Sequence, residues 1–199
     1  LKAIRRVNGG VECIEVESTA TGGFNIDELK PLPKEVIYVI DTSGSMDGES
    51  IHQAKAALEL ALTRLTPDDY FEVINFHSHT EELFRSTQPA TPENIRAAVS
   101  RIRGLHATGG TEMMSAVSAA LRNRPNASRV RQVIFITDGS VGNEAAILAF
   151  IRKHIGQSRL FTIGIGSAPN GFFMRKAAEM GRGTFTYIGK ISEVKLKMS

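Results

Sequence analysis

Short apolar runs alternate with helical patterns from residue 35 onward, and this alternation restricts the possible folds more than any other feature. The runs are nearly continuous and rich in Val, Ile and Phe, as in strands that are covered on both faces. Between them, apolar residues recur at the period of a helix. The expected strands are "VIYVI" (36–40), "FEVINF" (71–76), "VIFIT" (133–137), "LFTIGIG" (160–166) and "GTFTYIG" (183–189); the expected helices cover 51–65, 91–103, 110–123, 143–155, 172–181 and 191–198.

The alternation predicts an α/β fold: a doubly wound, mainly parallel, six-stranded sheet with helices on both faces. One antiparallel edge strand is expected near "EELFRS" (81–86), because the link "HSHT" (77–80) is short enough for a hairpin. Thr91 and Pro92 are expected to begin a helix, as its N-cap and first helical residue.

Residues 1–33 have a different pattern, which indicates a separate unit. The run "VECIEVES" (11–18) alternates like a half-exposed strand, and "KPLPKE" (30–35) resembles a stiff connector. We interpret residues 1–33 as an N-terminal extension or the tail of a preceding module, and residues 34–199 as one domain. Because the chain begins at Leu1 without a signal-peptide pattern, we expect it to be a piece of a longer protein.

Composition excludes several classes of partner. Hydrophobic residues make up 42% of the chain and charged residues 23%, so it can bury an ordinary core. The net charge is only +3 and the basic residues are scattered, which does not favour a nucleic-acid groove or a membrane patch. No stretch approaches the roughly 20 apolar residues of a membrane span. The single cysteine, Cys13, excludes an internal disulfide. The oligomeric state is open, with a monomer expected.

The expected strand at 36–40 leads directly into a group of oxygen-bearing side chains. In "VIYVIDTSGSM", Asp41 ends the apolar run, and Ser43 and Ser45 follow it. No Lys, His or Cys lies nearby in sequence to activate these groups for chemistry. The pattern therefore favours binding through oxygen atoms.

The predicted topology brings further oxygens to the same place. Parallel strands joined by helices direct their carboxyl ends to one edge of the sheet, and ligands bind there where the strand order reverses. If the strands that end at Asp41 and Asp138 flank this point, their carboxylates meet, and the Gly-rich loop carrying Thr108 and Thr111 lies beside them. Carboxylates and hydroxyls suit a hard cation such as Mg²⁺. Mn²⁺ or Ca²⁺ would also fit.

Three separated parts of this constellation carry a resemblance to a known family. "DTSGS" (41–45), Thr111 in "TGGTEM" and Asp138 in "ITDG" are similar to the metal-ion-dependent adhesion site of von Willebrand factor type A domains. More narrowly, "PLPKEVIYVIDTSGSM", "QVIFITDGSVGNEAAI" and "FTIGIGSAPNGFFMRKAAEMGRGTFTYIG" resemble the A domains of inter-α-trypsin inhibitor heavy-chain-like proteins and of their bacterial relatives among sortase-target surface proteins.

The resemblance implies a Rossmann-like fold and an adhesion function without catalysis. In this family's pattern, Ser43 and Ser45 would ligate the metal through their hydroxyls, and Thr111 would join them when a ligand is bound. Asp41 and Asp138 would act largely through bound waters. A Glu or Asp of a protein partner would complete the metal's ligands. The resemblance also implies an extracellular or cell-surface location.

Simpler explanations exist for some of these residues. "DTSGS" alone could be a strand end followed by a helix cap, since Asp and Ser are favoured caps. Asp47 and Ser50 are better explained as residues of a helix N-terminus. Ser140 fits a turn after Asp138, and Thr108 is a weaker candidate than Thr111, which we expect to open the following helix.

Three histidines are expected at the rim of this end of the sheet. His77 and His79 lie two apart, as on one face of a strand, but a zinc site would need a third ligand that the sequence does not offer. With His106, they could influence partner choice and pH dependence.

Two other functions remain open from the residues alone. Asp41 at the end of the first strand, beside a Mg²⁺ site, is also compatible with a phosphotransferase that uses an aspartyl nucleophile. Ser43 weighs against it, because a serine cannot act as a general acid at neutral pH. The metal could also have a purely stabilising role. No phosphate-binding P-loop or hydrolase G-x-S-x-G motif is present.

Overall fold

The computed structural model describes the backbone of residues 2–7 and 10–15, and residues 32–122 and 128–197 in full. Strands β1 (Lys2–Val7) and β2 (Gly10–Glu15) pair antiparallel in a two-stranded sheet of their own. Strand β2 covers most of the alternating run at 11–18, and the end of that run lies outside the described residues.

A larger sheet contains all the strands that the apolar runs predict. Its members are β3 (Lys34–Asp41), β4 (Tyr70–Phe76), β5 (Thr80–Glu82), β6 (Gln88–Pro89), β7 (Val130–Thr137), β8 (Arg159–Ile165) and β9 (Arg182–Ile188). The order across the sheet is β5-β4-β3-β7-β8-β9. The five long strands are mutually parallel, whereas β5 and β6 pair antiparallel with β4. The predicted doubly wound α/β fold is confirmed.

The antiparallel edge differs in detail from the prediction. The edge strand ends at Glu82, and only one further bond continues the pairing, from the N–H of Leu83 to the carbonyl of Val73. Arg85 has a φ of 62°, a left-handed conformation that turns the chain away from the strand. The chain then pairs again with the beginning of β4 as β6, so the sheet has seven strands and not six.

Six α-helices lie between or after these strands in the described part of the chain. They are α1 (Glu49–Leu62), α2 (Pro92–Arg103), α3 (Met113–Leu121), α4 (Glu144–His154), α5 (Gly171–Met180) and α6 (Val194–Lys197). The predicted start of α2 is confirmed, because the hydroxyl of its N-cap Thr91 accepts a bond from the N–H of Asn94 at 3.3 Å. None of these helices is both long and apolar enough to cross a membrane.

The start of α3 differs from the prediction. Thr111 does not open the helix, which begins at Met113 with Glu112 as its N-cap. The N–H of Glu112 donates to the carbonyl of His77 at 2.8 Å. The chain before Met113 is therefore held by the link between β4 and β5 rather than by helical bonds.

The helices cover both faces of the sheet and bury β3 almost completely. Val36, Tyr38 and Ile40 pack with α1, α2 and α6, whereas Ile37 and Val39 pack with α3, α4 and α5. This alternation is the period-two pattern of a strand between two apolar layers. Because the strand order reverses between β3 and β7, the carboxyl ends of these two strands form the point at which such sheets bind ligands.

Candidate metal site

The two aspartates predicted to meet at the carboxyl edge of the sheet lie on neighbouring strands. Asp41 is the last residue of β3, and Asp138 directly follows β7. The two strands are parallel, with Ile40 opposite Ile136, so both strands end at the same height. The topology therefore brings the two carboxylates together, as predicted.

Asp41 is fully buried and both of its carboxylate oxygens accept hydrogen bonds. One oxygen accepts from the N–H of Ser43 at 2.8 Å, and the other accepts from the hydroxyl of Thr137 at 2.5 Å. Burial raises the pKa of Asp41; hydrogen bonds from Ser43 and Thr137 oppose this rise, and the charge of Asp138 adds to it. The two hydrogen bonds fix the orientation of the carboxylate.

The two predicted serine ligands have their hydroxyls side by side. The Oγ atoms of Ser43 and Ser45 are 3.1 Å apart. Ser43 is buried, whereas Ser45 is exposed, so the pair leads from the interior to the surface. Neighbouring corners of an octahedron with metal–oxygen bonds of roughly 2.1 Å lie about 3 Å apart. The serine pair therefore has the spacing that two ligands of one Mg²⁺ ion require.

The loop that carries Thr111 lies against the segment that contains these serines. The N–H of Thr108 donates to the carbonyl of Thr42 at 2.8 Å, and the N–H of Gly44 donates to the carbonyl of Gly109 at 3.1 Å. Thr111 itself is partly buried at the end of this loop. The predicted convergence of "DTSGS" with the Gly-rich loop is thus present in the backbone.

Asp138 lies at the start of a tight turn. Its Oδ1 accepts a bond from the N–H of Ser140 at 2.9 Å, and its carbonyl accepts from the N–H of Asn170 at 2.7 Å. Gly139 has a φ of 71°, and an added Cβ would lie 3.0 Å from Met174. Glycine is therefore needed in this turn, which leaves Asp138 half-buried at the surface. Ser140 is exposed and has the turn role expected for it.

The available donors fit a hard cation better than a soft one. Among the described residues, no three His, Cys, Asp or Glu side chains group closely enough to hold a metal. The rings of His77 and His79 are 5.5 Å apart and edge to face, without a third such ligand. The site offers two carboxylates and neighbouring hydroxyls, a set of oxygens that suits Mg²⁺, Mn²⁺ or Ca²⁺.

The remaining residues weighed from the sequence lie around this centre. Asp47 is exposed at the end of a 3₁₀ turn over Gly44–Met46. Ser50 faces the loop after β8, because a Cβ added to Gly166 would lie 2.8 Å from the hydroxyl of Ser50. Thr108 and His106 are exposed on the loop before Thr111.

Sequence reasoning missed the roles of two hydroxyls that hold the site together. Thr137 donates to Asp41 and accepts from the N–H of Gly139 at 2.9 Å, so it joins the two aspartate segments. Thr42 donates to the carbonyl of Phe76 at 3.0 Å and ties β3 to the end of β4. The available signal was a threonine directly before or after an aspartate at the end of a buried strand.

Comparison with known proteins agrees with this fold. The profile of the von Willebrand factor type A domain family matches residues 34–187. Inter-alpha-trypsin inhibitor heavy chain H4 from Bos taurus is 36% identical over 168 residues, which cover 78% of this chain and 18% of that protein. The chain thus spans less than a fifth of the length of this relative.

Solved structures share the architecture. A von Willebrand factor type A protein from Catenulispora acidiphila superposes with a TM-score of 0.75 and 27% identity, covering 85% of this chain and 42% of that one. The manganese-loaded Plasmodium vivax TRAP protein gives a TM-score of 0.62 at 22% identity, over 83% and 72% of the two chains. Mussel byssus proximal thread matrix protein 1 with a zinc-occupied MIDAS motif gives a TM-score of 0.64 at 18% identity, covering 83% of this chain and 44% of that one.

The family profile covers most of the chain, and the fold matches that of a solved von Willebrand factor type A structure. The chain belongs to the von Willebrand factor type A domain family.

Proposed function

We propose that this domain binds a divalent cation through Asp41, Ser43, Ser45, Thr111 and Asp138, and uses it to bind an acidic side chain of a protein partner. Ser43 and Ser45 would hold the ion through their hydroxyls, Thr111 would join them when the partner is bound, and the two aspartates would act largely through water. The ion would supply an electrophilic centre for a Glu or Asp carboxylate. We propose Mg²⁺ as the ion, with Mn²⁺ or Ca²⁺ as alternatives.

The observation that carries this proposal is the pair of serine hydroxyls 3.1 Å apart beside the buried carboxylate of Asp41. A buried acid beside a second acid, Asp138, is costly to ionise, and a bound cation would offset that cost. Two proteins that share this fold, at 22% and 18% sequence identity, are described as manganese-loaded and as having a zinc-occupied MIDAS motif, which supports a divalent ion.

The geometry favours binding over catalysis. A carboxylate nucleophile must reach its substrate, but Asp41 is fully buried and both its oxygens accept hydrogen bonds. The residue two positions further along is Ser43, which is buried and bonded to Ser45 rather than placed as a general acid. We therefore propose that the domain is not an enzyme.

Calorimetric titration of the metal-free chain with Mg²⁺, Mn²⁺ and Ca²⁺ tests the metal site. We expect one site in the wild type and none in Ser43→Ala/Ser45→Ala, with the same circular dichroism spectrum for both proteins. Equal binding by the two proteins, or no binding by the wild type, would contradict the proposal. A metal that only stabilises the fold would be revealed if chelation unfolded the chain.

The acidic partner can be tested by affinity capture on the immobilised chain, with Mg²⁺ or with chelator. A partner that fits the proposal is retained only with Mg²⁺ and is lost on the double serine variant. Replacing one Glu or Asp of that partner by Gln or Asn must also abolish its binding. Retention in chelator would show a surface that does not use the metal.

The wider context of the domain is also a proposal. We propose that residues 1–33 are an extension or the tail of a preceding module, that residues 34–199 form the binding domain, and that the protein is extracellular or at the cell surface. The support is the similarity to inter-alpha-trypsin inhibitor heavy chain H4 over a small part of that protein's length. Surface biotinylation of intact cells that express the full-length protein tests the location.

A further inference from the structure

The link between β4 and β5 contacts the loop that carries Thr111 at two points. The hydroxyl of Ser78 accepts a hydrogen bond from the N–H of Gly110 at 2.8 Å. The carbonyl of His77 accepts one from the N–H of Glu112, also at 2.8 Å. These two bonds lie on either side of Thr111 in the sequence. The position of Thr111 is therefore set by the link, which belongs to a different part of the sheet edge.

The same loop is fixed from its other side by the segment of the serine ligands. The carbonyl of Gly109 accepts the N–H of Gly44, which lies between Ser43 and Ser45. The loop thus spans the space between the serine segment and the β4–β5 link. A shift of the link would move Thr111 relative to the two serines.

The contact between Ser78 and the loop is tight. Gly109 has a φ of 70°, and a Cβ added to it would lie 2.7 Å from the hydroxyl of Ser78. The loop backbone therefore passes directly over this hydroxyl, with no room for a side chain between them. The bond itself is exposed, and the close fit of the loop backbone against Ser78 is what distinguishes it from other surface bonds.

We propose that Ser78 is a positioning residue for the metal site, which fixes the loop from which Thr111 would join Ser43 and Ser45 on the ion. This inference rests on the proposed function. Ser78 acts through the amide of Gly110 and is not itself a ligand. Groups that orient metal ligands from outside typically change metal affinity by about 10- to 100-fold when they are mutated.

The test is titration of the metal-free chain with Mg²⁺ and Mn²⁺ in a double-mutant cycle, in the presence of acetate, whose carboxylate stands in for that of the acidic partner. We expect Ser78→Ala to weaken binding about tenfold and Ser78→Thr, which keeps the hydroxyl, to restore it. If Ser78 acts through Thr111, then Ser78→Ala adds no further loss in a Thr111→Val background. Hydrogen exchange of the Gly110 amide in the metal-free chain should be faster in Ser78→Ala than in wild type.

Thr63→Ala is the matched control. The hydroxyl of Thr63 also makes an exposed side chain-to-backbone bond, to Leu60 at the far end of α1. Thr63→Ala should leave metal affinity unchanged. Unchanged metal affinity in Ser78→Ala, or an equal loss in both backgrounds, would overturn this inference while the metal site stands. A wild type that binds neither ion would overturn both this inference and the proposed function.

Discussion

Strand β3 has a buried acid near each of its ends, and the groups that surround the two acids differ. Near the amino end, Glu35 lies opposite Arg131 of β7, with Nε 3.8 Å from its carboxylate, and the hydroxyl of Thr87 donates to it at 2.9 Å. At the carboxyl end, Asp41 receives only hydroxyl and amide donors and has a second acid, Asp138, as its charged neighbour.

The difference shows which end has its own cation. The loops that follow β3, β4, β7 and β8, and the loop that carries Thr111, contain no Lys or Arg, over residues 42–48, 77–79, 138–143, 166–170 and 104–112, all of which the structure describes. Lys190 follows β9, at the far edge of the sheet. At the amino end, Glu35 and Arg131 form a buried ion pair within the fold. In the proposed function, a cation from solution would complete the carboxyl end. Removing a group from the amino end should therefore lower stability alone, whereas removing one from the carboxyl end should also weaken metal binding.

The largest effect is expected from Arg131→Met at the amino end. The substitution leaves Glu35 buried without its cation, and breaking a buried pair in this way typically costs about 3–5 kcal/mol of unfolding free energy. Urea denaturation measures this loss. Affinity for Mg²⁺ should remain at the wild-type value, because the pair lies at the opposite end of the strand from the metal site.

The control is Glu35→Gln in the Arg131→Met background, which removes the buried charge and should recover part of the lost stability. A loss of Mg²⁺ affinity in Arg131→Met at a denaturant concentration where it stays folded would show that the two ends are coupled. The proposed division of roles would then be wrong.

A smaller effect on stability, with a clear effect on metal binding, is expected from Thr137→Val. The change keeps the shape of the side chain but leaves Asp41 and the N–H of Gly139 without their shared hydroxyl. Buried groups that lose a partner cost about 1–3 kcal/mol. Denaturation should show this loss, and calorimetry should show weaker Mg²⁺ binding because Asp41 is no longer held.

Thr162→Val is a matched control for this experiment. Thr162 is also a buried threonine of a central strand, and its hydroxyl donates to the carbonyl of Met174 at 3.0 Å. The Thr162→Val variant should lose about as much stability as Thr137→Val and should bind Mg²⁺ with wild-type affinity. Equal Mg²⁺ affinities in the two variants would mean that Thr137 has only a structural role.

The contrast between the two ends also explains what sequence alone could predict. The acids at 41 and 138 follow apolar runs directly, so local pattern and topology rules were enough to bring them together. The Glu35–Arg131 pair depends on the register between β3 and β7, which no local pattern specifies. The role of Ser78 depends on the path of a distant loop over the β4–β5 link. Such contacts between distant segments required the structure.

The smallest effect is expected at Glu72, a buried acid of β4 that has neither a bound arginine nor the proposed metal. Its Oε1 accepts from the N–H groups of Val73 and Phe84. Burial raises the pKa of Glu72, and these bonds only partly oppose the rise. The folded chain therefore binds this proton more tightly than the unfolded chain does, so protonation favours folding.

The sign of this effect can be measured against Glu72→Gln, which does not titrate. As the pH falls from neutral toward about 4.3, the ordinary value for Glu, the stability of wild type should rise relative to the variant and then level off. Urea denaturation of both proteins across this range gives the difference. A difference that stays constant or falls would contradict the assignment.

The central claim is that the carboxyl end of β3 takes its cation from solution, between the hydroxyls of Ser43 and Ser45. The most direct test is anomalous scattering from crystals of the chain soaked in Mn²⁺. We predict a peak within coordination distance of both hydroxyls and close to Asp41 and Asp138. A protein saturated with Mn²⁺ in which this position holds no anomalous peak, or in which the peak lies elsewhere, would contradict the account.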